Sequence, residues 1–130
     1  MPQQMRAGDA AVDLAARLDA TLEPGRRSLV PTGFAVAIPE GWCGLILPRS
    51  GLAVDHGLTV LNSPGLIDSG YRGELRVILV NTGTEVVEVE RGRRIAQLLV
   101  LPVPDLAFDE VDELPPSPDA RDEQGFGSSG

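Results

Sequence analysis

A single cysteine, Cys43, and a single histidine, His56, are all that the 130 residues offer of thiol and imidazole ligands. One thiol cannot close an intrachain disulfide or build a multi-thiolate metal site, so a reducing interior is the expected setting. His56 is followed by Gly57 and reads as a turn or surface residue rather than a catalytic one. Positive charge is also scarce: 11 Lys+Arg against 19 Asp+Glu leave a net charge of -8. That sign opposes non-specific attraction to a phosphate backbone or an anionic bilayer, although a few placed arginines can still hold a single nucleotide. No apolar run approaches the roughly 18 residues of a membrane span. The start, MPQQMRAGDAAVDLAARLDA, has no basic segment leading into a sustained apolar one, and a cytoplasmic location is expected. HExxH, CxxC, GxSxG, Walker A and GxGxxG patterns are all missing. Chemistry is left to carboxylates, arginines, hydroxyls and a bound cation.

What is present, from Ser28 to Val103, is a series of short apolar runs separated by Gly, Pro and Asn. In GELRVILVN, Leu75, Val77 and Leu79 alternate with Glu74, Arg76 and Ile78; in EVVEVERG, Val87 and Val89 alternate with Glu88 and Glu90. A period of two with β-branched residues predicts strands with one buried face. Prolines fall near the run edges, where a missing N–H is tolerable, and the runs predict a compact β-barrel or β-sandwich. Propensity alone favours a helix over Asp9–Ala20, where Leu14 and Leu18 are four apart. Residues 105–123 hold eight of the nineteen acids, with Pro115, Pro116 and Pro118 among them, and read as an extended acidic arm. The closing GFGSSG has a flexible composition. Arg121 and Phe126 in that stretch are one guanidinium and one ring able to fold over a planar anionic ligand; composition by itself describes a plain tail.

Four internal segments can carry chemistry. In PRSGLA, Arg49 offers a bidentate donor to phosphate, with Ser50 and the N–H groups around Gly51 beside it. A strand-terminal turn would look the same. In NSPGLIDSGYRGELRV, glycine turns flank Leu66, Ile67 and Asp68, and Gly70-Tyr71-Arg72-Gly73 leads into the strongest strand. A hairpin of this kind presents backbone groups to a base edge and Tyr71 to a sugar, and Asp68 can take a proton from water; a local Asx-turn acceptor is the alternative. RGRRIAQLL brings Arg91, Arg93, Arg94 and Gln97 together, either as a solvated face or as a second phosphate patch if it approaches PRSG. Asp13, in AAVDLAA, is a further carboxylate able to hold magnesium-bound water, or else an ordinary turn group.

Taken in order, AGDAAVDL, PRSGLA, GLIDSGYRG, RGRRIAQLL and RDEQGFGSSG resemble the five motifs of the homotrimeric dUTP pyrophosphatases, over about residues 7–130. The resemblance implies an all-β jelly-roll β-barrel over residues 1–104, an acidic extended arm over 105–120, and a glycine-rich motif over 121–130 that closes on the active site. It also implies a homotrimer with three active sites shared between chains, hydrolysis of dUTP to dUMP and pyrophosphate, and Mg2+ on the triphosphate; the negative charge and the short apolar runs lead us to expect no nucleic-acid or membrane partner. By the same resemblance Asp68 activates the water that attacks the α-phosphorus, and Tyr71 packs under deoxyribose and excludes a 2'-hydroxyl. Asn62, Gly65, Leu66, Ile67 and Gly70 read uracil. Arg49, Ser50, Gly51 and Gln97 hold phosphates, and Asp13 orders metal-bound water. Arg121, Gly127, Ser128 and Ser129 clamp the outer phosphates while Phe126 stacks on the base. The family places extended chain at Asp9–Ala20, against the helical propensity there.

Two departures from the family pattern stand out: Val12 where an aromatic is frequent, and Asp122 with Glu123 after Arg121 where small residues are usual. Two other readings share the same pocket. A dCTP deaminase or bifunctional relative has a related fold, which GLIDSGYRG and the terminal motif suit less well. A non-catalytic nucleotide-sensing trimer would bind dUTP without turnover.

Overall fold

The computed structural model describes residues 6–118 and Gly125. Its nine strands are β1 (Val12–Ala15), β2 (Ala20–Leu22), β3 (Arg27–Ala35), β4 (Trp42–Leu47), β5 (Leu58–Val60), β6 (Gly65–Ile67), β7 (Glu74–Asn81), β8 (Val87–Val89) and β9 (Arg94–Pro102), and one helix, α1 (Ser50–His56), follows β4. The strands form three sheets, ordered β1-β9-β4-β6, β2-β8 and β3-β7-β5. Every strand pair is antiparallel. None of the helices among the described residues is long and apolar enough to cross a membrane.

The fold is mostly β, but the closed jelly-roll barrel expected from the resemblance does not form. Each sheet remains open: β1 and β6 are the edges of the four-stranded sheet, and β3 and β5 those of the three-stranded one. Closure requires a continuous hydrogen-bonded ladder with mutually consistent stagger. Here, among the described residues, no edge strand of one sheet pairs with an edge strand of another, so the ladder does not run on between sheets; within its own sheet β3 shifts register with β7 between Pro31 and Ala35, around Gly33 at φ +78°. Side chains join the sheets instead. Leu14, Leu22, Val30, Ile46, Leu58, Val77, Val89 and Ile95, drawn from eight different strands, belong to one buried cluster.

Alternation holds where the sequence predicts it. Leu75, Val77 and Leu79 are buried on β7, and Val87 and Val89 on β8, with Glu88 exposed between them. Asp9–Ala20 contains β1 and no helix, because Leu14 is fully buried by a strand pairing that a short amphipathic helix could not offer. Val12 packs against the core cluster as a partly buried residue. PRSGLA, for which a strand-terminal turn is the plain alternative, leads into α1: Arg49 is its N-cap in extended conformation, and Gly57 ends it in the left-handed region.

The expected hairpin has a different pairing from the simplest one. Its arms are β5 and β7, with Leu58 opposite Asn81 and Val60 opposite Leu79. Between them, β6 leaves that sheet and pairs with β4. The segment therefore leaves one sheet, pairs with another at β6, and returns to the first at β7.

Candidate active site

One outer face of the four-stranded sheet carries most of the chemistry. Asp13 on β1 lies opposite Gln97 on β9, which lies opposite Leu47 on β4. Their neighbours Leu14, Ala96, Ile46 and Leu98 point into the core, so Asp13 and Gln97 project to the other side. The chain leaves β4 through Pro48 and Arg49, and Arg49 turns back over this row. Its Nε donates to Asp13 Oδ1 at 3.0 Å, while Arg94 Nη1 donates to Asp13 Oδ2 at 3.4 Å. Gln97 Nε2 donates to the Pro48 carbonyl at 2.9 Å, fixing the PRSG turn. Ser50 and Gly51 form the first turn of α1 just beyond, where helical N–H groups have no partner within the helix.

These groups border an open cavity of about 690 Å³ lined by Arg6, Asp9, Asp13, Arg49, Arg94 and Gln97, among others. Asp13 and Arg49 are only partly exposed, at 17% and 29% of the side chain. Such shielding strengthens charge interactions relative to open water. The two guanidiniums make this corner receptive to an anion despite the negative charge of the molecule. The RGRR run is divided by the fold. Arg94 joins the corner, whereas Arg93 Nη1 donates to the Glu88 carbonyl at 2.9 Å and the Arg91 N–H donates to Asp19 Oδ1 at 2.7 Å.

The hairpin tip occupies a different corner. Leu66 is opposite Leu45, and its side chain is 62% exposed, whereas Ile67 packs on the core cluster and offers a ligand only its backbone. Asp68 follows just past the strand and is exposed. It borders a cavity of about 210 Å³ with Trp42, Cys43 and Ser69. A turn closes from the Tyr71 N–H to the Asp68 carbonyl at 3.1 Å, and Arg72 Nη1 donates to the Ser69 and Tyr71 carbonyls. Tyr71 is 43% exposed, and its hydroxyl donates to the Glu74 carbonyl at 2.9 Å. Asn62 Nδ2 lies against Gly65, so both stand at the base of this tip. Among the described residues the Asp68 carboxylate takes no hydrogen bond or ion pair.

Asp68, just past the end of β6, and Asp13 do not share a site within one chain. Four residues of β9, Gln97 to Leu101, separate their rows, roughly 13 Å, and three strand spacings from β1 to β6 add roughly 14 Å across the sheet. Arg121, Phe126, Gly127, Ser128 and Ser129 lie outside the described residues. Arg49 and Gln97 are already grouped as phosphate-holding by the family resemblance, whereas Arg6 carries no motif signal. Strand register sets Asp13 beside Gln97, and the turn after β4 brings Arg49 to them, with Arg6 on the cavity rim.

A family model described as dUTPase matches residues 1–130. The chain belongs to the dUTPase family. It is an enzyme that hydrolyses dUTP to dUMP and pyrophosphate. The deoxyuridine 5'-triphosphate nucleotidohydrolase of Leifsonia xyli is 50% identical over 131 residues, covering 100% of this chain and 85% of its relative. That of Wolbachia pipientis is 52% identical over 123 residues, covering 93% and 80%. Among solved structures, Staphylococcus bacteriophage 80alpha dUTPase with dUPNHPP superimposes at a TM-score of 0.92, with 30% identity over 100% of this chain and 91% of the other. A dUTPase from phage phi11 of S. aureus, described with a structural Mg(II) ion, gives a TM-score of 0.81 at 26% identity, covering 87% and 90%.

Proposed function

We propose that this dUTPase hydrolyses its substrate by water attack on the α-phosphorus, in active sites shared between the chains of a homotrimer. The observation that carries this reading is the separation of the two corners. One chain offers an anion-receptive corner at Asp13, Arg49 and Gln97 and an unengaged carboxylate at Asp68, too far apart to serve one triphosphate. Bringing the hairpin of one copy to the phosphate corner of another unites them.

In that arrangement Arg49, Ser50, Gly51 and Gln97 hold phosphate oxygens, and Asn62 with the backbone of Gly65, Leu66, Ile67 and Gly70 reads uracil. Tyr71 packs against the deoxyribose. The Asp68 carboxylate accepts a proton from water as its oxygen bonds to the α-phosphorus, and the bond to the bridging oxygen breaks to release pyrophosphate. Phosphoryl transfer of this kind depends on positioning and charge stabilisation more than on nucleophile strength. Arg121, Phe126, Gly127, Ser128 and Ser129 complete the clamp. The dUMP released supplies thymidylate synthesis, and the removal of dUTP limits incorporation of uracil into DNA.

The donor set fits Mg2+ carried on the triphosphate. No group of three or more His, Cys, Asp or Glu able to hold a metal lies among the described residues, and magnesium commonly keeps several waters and is held through substrate phosphates. Asp13 already accepts from two guanidiniums, and a carboxylate has lone pairs left for a metal-bound water. When bound, the ion neutralises phosphate charge.

Mixing two disabled variants tests the shared site. Asp68→Asn and Arg49→Ala are each expected to be nearly inactive alone. Co-refolded, they should regain a clear fraction of wild-type turnover, because some sites then receive an intact hairpin from one chain and an intact phosphate corner from another. Light scattering should report three times 13.8 kDa. A monomeric mass, or no recovery on mixing, would sink the proposal.

A further inference from the structure

Glu74 is the first residue of β7, three positions after Tyr71, and more interactions converge on it than a sheet-entry residue needs. Its carbonyl accepts from the Tyr71 hydroxyl at 2.9 Å. Its Oε1 accepts from the Gly33 N–H at 2.8 Å, and its carboxylate faces Arg17 Nη1 at 4.0 Å and Arg76 Nε at 3.8 Å. The Gly33 N–H is free for this because β3 bulges there: the ladder to β7 breaks between Pro31 and Ala35, and Gly33 takes φ +78°. Next to it, Thr32 Oγ1 donates to the Leu75 carbonyl at 2.7 Å. Side-chain bonds thus replace the missing ladder rungs and fix the start of β7 directly behind Tyr71.

Gly73 bounds the ring from another side. A Cβ at that position would collide with the Tyr71 hydroxyl and stand 2.6 Å from Cζ and 3.1 Å from Cε2. Its φ is outside the left-handed region, so backbone conformation does not demand glycine here. The approach of the ring does.

We propose that Glu74 and Gly73 are positioning residues that hold the Tyr71 ring at the angle that discriminates deoxyribose from ribose. The inference rests on the reading of Tyr71 as the sugar-facing ring. A half-exposed tyrosine has freedom to turn, and a steric filter works only if its wall does not yield. Gly73 admits the ring, the Glu74 carbonyl ties its hydroxyl, and the bulge on β3 secures Glu74.

The test compares kcat/KM for dUTP and UTP in full-length Gly73→Ala, Glu74→Ala, Glu74→Gln, Tyr71→Phe and Tyr71→Ala, alongside thermal melts. A loss of folded enzyme scales both substrates alike and leaves their ratio unmoved. The dUTP:UTP ratio should fall about tenfold in Gly73→Ala and about fivefold in Glu74→Ala, the size of one lost hydrogen bond. Glu74→Gln should retain most of it, since the amide oxygen still accepts from Gly33. In the Tyr71→Phe background Glu74→Ala should lower the ratio no further. If Tyr71→Ala destroys discrimination while Gly73→Ala and Glu74→Ala keep it, positioning is overturned and the reading of Tyr71 stands. If Tyr71→Ala leaves the ratio intact, the reading of Tyr71 falls, and the proposal with it. An undiminished effect of Glu74→Ala in the Tyr71→Phe background also overturns it. Should Gly73→Ala fail to fold, the Glu74 series decides alone.

Discussion

The phosphate corner and the hairpin tip are built on opposite principles. At the corner, Asp13 is engaged on both oxygens by Arg49 and Arg94, and Gln97 is tied to Pro48, so the polar groups hold one another before any ligand arrives. At the tip, backbone turns and the Tyr71 hydroxyl set the geometry, while the Asp68 carboxylate is left unengaged among the described residues. The contrast suits the two tasks. Binding a triphosphate requires fixed donors whose reorganisation cost has already been met in folding. A general base must keep its lone pairs for the proton it will take.

The sharpest way to break this contrast is Asp68→Asn. Turnover should drop by about 10³-fold, within the range for removal of a general base, while dUTP affinity measured by calorimetry stays within a few-fold of wild type. Equal losses in affinity and turnover would make Asp68 a binding group and erase the distinction. The next largest effect is expected from Arg49→Ala, which should lower kcat/KM about 10²-fold, with weakened binding of a non-hydrolysable dUTP analogue contributing. Arg94→Ala grades the same corner. Its contact is longer and its side chain 46% exposed, so a loss of about fivefold or less is expected. Reversal of that order would mean that Arg94, not Arg49, organises Asp13.

The smallest effect on chemistry should come from a change that spares both regions. Asn81 is fully buried; its Nδ2 donates to the Leu22 and Glu85 carbonyls and its Oδ1 accepts from the Gly83 N–H. Asn81→Ala should cost about 3 kcal/mol in denaturant unfolding by leaving buried groups unpaired, with kcat per folded molecule unchanged. A large kcat change in folded Asn81→Ala would show that the core and the site are not separable.

Strand identity was legible because side-chain direction alternates with a period of two: Leu75, Val77 and Leu79 declare the buried face of β7 without help from the rest of the chain. Glycine and proline marked most boundaries, and the five motifs identified the family and its candidate residues. Local propensity is least informative where distant partners decide. The alanine-rich Asp9–Ala20 has helical propensity that the family resemblance overrules, and a cross-strand partner in β9 accounts for its extended form. PRSGLA leads into the seven-residue α1, which the apolar pattern does not mark.

Closure of the sheets was not legible at all. Motif order does not say which edge strands pair, and the edges of the three sheets do not join, leaving three open sheets where a barrel was expected. Pairing within the site was legible only as far as the resemblance grouped Arg49 with Gln97; the contacts of Asp13 were hidden. Asp13, Arg49, Arg94 and Gln97 are scattered along the chain, and only the register of β1 on β9 and β9 on β4 sets them in one corner. The sequence by itself determined which residues are chemically able to act and which faces of the strands are apolar, because both depend on side-chain type and local period. The tertiary structure alone decided which of those residues meet, that Asp68 stands apart from Asp13, and that Glu74 backs Tyr71, because contacts between distant segments follow from register and packing.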